Sequence, residues 1–118
     1  MELVDEIEEL IMMHQEGPYW DFKREWYDDS KDGDLLIDII CMANNLVDRD
    51  AYIIIGVNEE CDYAIQDVSQ DANRRNTQML TDFIRGKKFA GDFRPVVTVE
   101  QVHLDGGLVD VIVVHNSI

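Results

Sequence analysis

The sequence predicts an α/β domain of the α+β kind, a two-layer sandwich of helices on a mixed sheet. Three observations predict it. Amphipathic stretches of helical period at 2–14, 34–47 and 70–85 alternate with short β-branched runs. The run at 51–57, Ala-Tyr-Ile-Ile-Ile-Gly-Val, is continuously apolar, as a central strand covered on both faces must be. Two Val-rich segments, 95–104 and 108–114, flank Asp105-Gly106-Gly107, a hairpin turn signal. Helices interleaved with strands and followed by a hairpin fit a sheet with helices packed on it.

Each element has its own signature. Leu3, Val4, Ile7, Leu10 and Ile11 make one face of the first helix, and Glu2, Asp5, Glu6, Glu8 and Glu9 the other. The acids suit the positive N-terminal end of its dipole. Gly17-Pro18 stops it, because proline removes a donor and disfavours helix in the residue before it. Residues 19–23 alternate, with Trp20 and Phe22 on one side and Tyr19, Asp21 and Lys23 on the other, as in a half-buried strand. Asp32 or Asp34 is the expected cap of the second helix, whose broad apolar face includes Leu35, Leu36, Ile39, Ile40, Ala43, Leu46 and Val47. Cys41 is expected as a small buried group within it. Tyr63-Ala64-Ile65 is a short strand extension. Ser69 is the expected cap of the third helix, with Ala72, Asn76, Met79, Leu80, Phe83 and Ile84 facing inward.

The length of 118 residues suits a single domain spanning 1–118, and the chain's end directly after a strand leads us to expect a fragment of a longer protein. No apolar run is long enough to span a membrane, so no membrane partner is expected. The acidic N-terminus is unlike a signal peptide. Two cysteines form neither a disulfide framework nor a zinc set, and a cytoplasmic setting is expected. Ten Lys and Arg stand against 25 Asp and Glu, a formal net charge of −15, which opposes polyanion binding wherever it is spread evenly. It is not even: residues 85–94 are net positive. No P-loop is present, since Gly86-Lys87 is followed by Lys88 and preceded at the glycine position by Thr81.

Three stretches together carry a resemblance: Glu16-Gly-Pro-Tyr-Trp-Asp21-Phe22-Lys23, then Ile40-Cys-Met-Ala43-Asn44, then Ile53-Ile-Ile-Gly56-Val57-Asn58-Glu59. In order and spacing they resemble the Schlafen AlbA_2 domain family, whose pattern runs E-x4-E-F-K, A-x-A-N and I-G-V-D-D. The resemblance implies an Alba-like β-α-β-α-β-β order after the first helix, and a DNA- or RNA-associated domain of a bacterial or phage regulator. Some Schlafen proteins are metal-dependent endoribonucleases. By motif position, the resemblance implies Glu16, Asp21 and Glu59 as catalytic carboxylates and ligands of Mg²⁺ or Mn²⁺. Asp21 stands where the family has Glu, and Glu59 where it has Asp. The family's T-x-G-G before the central strand is replaced by Asn45-Leu46-Val47-Asp48-Arg49-Asp50-Ala51, which has no glycine.

Physically, three carboxylates meeting at one end of the sheet offer hard oxygen ligands for such a cation. Their chance proximity among 25 acids is the competing explanation. Lys23 is a phosphate contact in the first reading and an exposed strand residue in the second. Arg74, Arg75, Arg85, Lys87, Lys88 and Arg94 are the expected nucleic-acid contacts. Phe89 and Phe93 lie among the last four, and core closure plus dipole compensation is their alternative role. Trp26 and Tyr27 either stack on a base or cover the sheet. Three functions follow: a nucleic-acid-binding domain, with a homodimer or missing domains of the same polypeptide assisting; a Mg²⁺/Mn²⁺-dependent endoribonuclease; or a non-catalytic protein-interaction module with an acidic surface.

Overall fold

The computed structural model describes residues 1–87 and 94–116. Three helices, α1 (Leu3–Met12), α2 (Asp32–Ala43) and α3 (Thr77–Arg85), accompany six strands. These are β1 (Trp20–Lys23), β2 (Ala51–Ile55), β3 (Val57–Asn58), β4 (Ala64–Ile65), β5 (Val97–Leu104) and β6 (Gly107–Val114). The main sheet has the order β1-β2-β6-β5, with β1 parallel to β2 and the other pairs antiparallel. It is an α+β fold on a mixed sheet with an N-terminal helix.

The pleat divides the core. Ala51, Ile53, Ile55, Ile112 and Val114 face α2 and α3, while Tyr52, Ile54, Val109, Val111 and Val113 face α1. The sheet with α2 and α3 is the expected two-layer body. Packing of Ile7, Leu10 and Ile11 on the opposite face adds a third layer. The physical reason is that β2 and β6 are apolar on both faces, and the second face needs a cover.

Strand 51–57 does not run through. Gly56 has φ +117°, and a Cβ there would lie 3.0 Å from the Gln66 carbonyl oxygen and 3.1 Å from the Val68 and Val109 side chains. Only glycine takes this bend at such close quarters. Beyond it, β3 leaves the main sheet and pairs with β4, so two short strands are inserted into the expected order.

Two helix limits differ from the sequence expectation. α2 ends at Ala43 because Asn45 captures the chain, with its Nδ2 donating to the Met42 and Arg49 carbonyls and its Oδ1 accepting from the Val47 N–H. Leu46 and Val47 therefore leave the helical face and are exposed. Cys41 is exposed rather than buried, as is Ile37 on the same outer face. Neither Asp32 nor Asp34 caps α2. Asp28 instead caps the 3-10 turn before it by accepting from the Ser30 N–H.

α3 starts at Thr77, with Asn76 Oδ1 accepting from the Met79 N–H; Ser69 is not its cap and bonds Asp67 instead. Ala72 and Asn76 therefore fall before the helix and are exposed, and Met79 lies on its outer side rather than its inner face. The preceding segment is held elsewhere. Asp71 accepts from the Trp26 N–H, and Arg74 makes a two-pronged bond to Asp110, 2.9 Å at each prong. Asp110 is 1% exposed and also accepts from the Trp26 indole at 2.8 Å.

An uncompensated buried charge is costly, so Arg74→Ala is expected to lose about 3 kcal/mol of unfolding free energy. Replacing Arg74 and Asp110 together with Leu should restore much of it, both read from urea unfolding midpoints.

Candidate functional site

Strand geometry explains how the first motif gathers its acids. β1 is an edge strand. The Tyr19 and Lys23 carbonyls accept from β2-side N–H groups, so Trp20 and Phe22 turn their backbone groups to the free edge. The Trp20 carbonyl accepts from the Gly17 N–H, folding the Gly17-Pro18 bend back along that edge. The Phe22 N–H then donates to Glu16 Oε2 at 3.3 Å and to Asp21 Oδ1 at 2.9 Å. Two carboxylates five positions apart thus meet at one donor.

Lys23 lies between Asp21 (3.3 Å) and Asp38 of α2 (3.5 Å). Burial works against its charge, but the two carboxylates outweigh it and raise its pKa. Tyr27 donates to Asp38 at 2.6 Å, and its own pKa is pushed upward by burial and by Asp38. Glu59 follows β3 in a short 3-10 turn capped by Asn58, whose Oδ1 accepts from the Glu60 N–H. Burial first, then the negative charge of Asp21, raises the Glu59 carboxyl above its ordinary value, partly offset by Lys23. Glu59 and Lys23 line one cleft of about 290 Å³ together with Arg24, Lys31 and Glu60.

The three acids thus lie near the carboxyl ends of the parallel pair β1–β2. Their oxygen donors suit Mg²⁺ or Mn²⁺ chemically. As placed, however, no three His, Cys, Asp or Glu side chains among the described residues are gathered into a metal-binding group. The positive partners of Asp21 are the Phe22 N–H and Lys23.

The basic residues are dispersed. Arg74 is taken by Asp110, and Arg75 by Asp32 at 2.5 Å while it lies over the Phe83 ring. Both are parts of the fold's internal wiring. Arg85, Lys87 and Arg94 lie at the end of α3 and before β5. Arg85 has one exposed contact, to Asp82 at 3.5 Å, Lys87 lies over the Phe83 ring, and Arg94 donates to the Arg85 carbonyl. Lys88, Phe89 and Phe93 lie outside the described residues. Trp26 and Tyr27 are buried against the sheet, which leaves neither ring open to a base.

The acid cluster and the basic corner stand at opposite ends of the sheet. The start of β5 pairs with the end of β6, which pairs with the start of β2, whereas Glu59 follows the end of β2. Three strand spacings of about 4.8 Å and most of a strand's length separate them.

The family description "Schlafen, AlbA_2" matches residues 16–118. The chain belongs to the Schlafen AlbA_2 family. Comparison with curated proteins and with solved structures gives no match. The matched region of this AlbA_2 chain begins at Glu16, so it excludes α1, the helix that covers the second sheet face. Its missing glycine pair falls where Arg49 reaches from the β2 approach to Glu6 of α1 (2.5 Å) and lies over Tyr19, 4.0 Å from the ring centroid. Asp38 was not among the sequence-predicted site residues. Its position one helical turn after Asp34 was the available signal, but only the packing of α2 on β1 brings it to Lys23. No described helix is long and apolar enough to cross a membrane.

The raised Glu59 pKa has a defined sign. The folded state holds the Glu59 proton more tightly than the unfolded chain, so this group's contribution to stability falls as pH rises from about 4 through the folded-state value. Glu59→Gln is expected to raise the melting temperature slightly at neutral pH and to lose that gain below about pH 4, measured by thermal unfolding across the range.

Proposed function

We propose that this AlbA_2 domain binds nucleic acid, DNA or RNA, by docking phosphates on Arg85, Lys87 and Arg94. The observation that carries the reading is that Lys87 and Arg94 meet no carboxylate among the described residues and that Arg85 meets only an exposed one. Arg74 and Arg75 are instead engaged by Asp110 and Asp32 within the fold. Lys88 is adjacent in sequence and joins the phosphate contacts. The net charge of −15 makes binding local and salt-sensitive, and a homodimer or further domains of the same polypeptide would enlarge the surface.

Binding of a labelled oligonucleotide, followed by anisotropy, tests this. Four phosphate contacts on a single strand, Lys88 included, give a log–log salt slope of about −3. Replacing Arg85, Lys87 and Arg94 with Gln should flatten the slope and weaken binding at least about tenfold at low salt. Unchanged affinity would remove the basic corner as the docking site. Absence of binding by the wild type would leave the protein-interaction reading.

A second reading is a Mg²⁺- or Mn²⁺-dependent endoribonuclease using Glu16, Asp21 and Glu59. It is favoured by the convergence of Glu16 and Asp21 on the Phe22 N–H and by the field of Asp21 at Glu59. When bound, the cation would polarise a phosphate and activate water. The three acids would hold it only after drawing closer, with Lys23 released from Asp21 to meet the substrate. Cleavage of tRNA in Mn²⁺ should then fall by about 100-fold or more in Glu16→Ala and in Asp21→Ala. Equal cleavage by wild type and both variants would exclude the reading.

A further inference from the structure

The end of α3 and the start of β5 enclose a cleft of about 160 Å³, lined by Thr81, Ile84, Arg85, Arg94, Pro95, Val96 and Val97. It is smaller than the roughly 300 Å³ of an ordinary small-molecule pocket and suits one planar group. Its floor is apolar, its rim carries two guanidinium groups, and Val96 is 61% exposed beside them. Such a combination is matched by a strand of nucleic acid with an unpaired base. The base covers the apolar floor and stacks on a guanidinium plane, and its flanking phosphates meet the arginines.

The surrounding charge opposes a duplex. A double helix carries one charge per about 1.7 Å and is rigid. Docked on so small a basic corner, it would bring its second strand within about a Debye length, roughly 10 Å, of a surface that is otherwise acidic. Asp82 already stands beside Arg85. A single strand bends away from those acids and exposes its bases; a duplex does neither.

We infer that this cleft selects single-stranded nucleic acid by accepting one unpaired base between Arg85 and Arg94. The inference rests on the nucleic-acid reading above and deepens it. The test uses the full chain and three probes of equal length, about ten nucleotides each: a labelled single strand, the same strand annealed to its complement, and an abasic strand. The single strand is expected to bind at least about tenfold more tightly than the duplex and several-fold more tightly than the abasic strand. Val96→Asp, at an exposed position, should weaken the single strand to the abasic level, while circular dichroism and the melting temperature report the fold. Duplex bound as tightly as single strand would overturn the inference and leave the nucleic-acid reading standing. Equal binding of abasic and normal strands would overturn the base cleft. Failure of all three probes to bind would overturn both.

Discussion

A single buried carboxylate organises much of this chain. Asp110 sits on β6 opposite Ile55, in a strand that is otherwise apolar, and water does not reach it. A charge so placed needs a full set of partners. Arg74 supplies two bonds and the Trp26 indole a third. That demand draws residues 66–76 across the sheet and postpones α3 until Thr77. It also draws the chain after β1 inward, so that Trp26 and Tyr27 become core.

The position of Tyr27 then matters for the acids. Its hydroxyl fixes Asp38, and Asp38 shares Lys23 with Asp21. The acid cluster is therefore tied to the core through a chain of polar contacts. Its other support is the free edge of β1. An edge strand has N–H groups to satisfy, and Glu16 and Asp21 satisfy one of them together. Gly56 completes the arrangement by bending the strand after β2, which turns Glu59 back toward Asp21. Motif spacing is thus the outcome of strand pairing and one left-handed bend.

Charge is distributed by the same logic. Several cations are paired within the fold: Lys23 with Asp21 and Asp38, Arg49 with Glu6 of α1, Arg74 with Asp110, and Arg75 with Asp32 at the start of α2. Arg24 and Lys31 line the cleft beside Glu59, while others stand at the end of α3, where they also offset the helix dipole. Structural compensation and ligand binding need not compete there, because an exposed guanidinium can do both. The acid cluster lies away from the end of α3, toward the other end of the sheet.

The sequence by itself determined the elements whose cause is local. Periodicity placed α1 and β1, the apolar run placed β2, and Asp105-Gly106-Gly107 placed the β5–β6 turn. The three spaced motifs determined the family, now supported over residues 16–118. Glu16 and Asp21 were legible as a pair only through the family motif, and the structure adds the local reason for their spacing, one shared N–H on the free edge of β1. What only the tertiary structure decided were the features set by distant partners. The start of α3 depends on Asp110, 36 positions from Arg74. The third layer depends on both faces of β2 and β6 needing cover. The roles of Arg74 and Arg75 as internal counter-charges, and of Asp38 as a partner of Lys23, depend on which acids the fold brings near. Local patterns record what a segment prefers, whereas a buried charge or an uncovered sheet face is resolved only by whatever the rest of the chain brings to it.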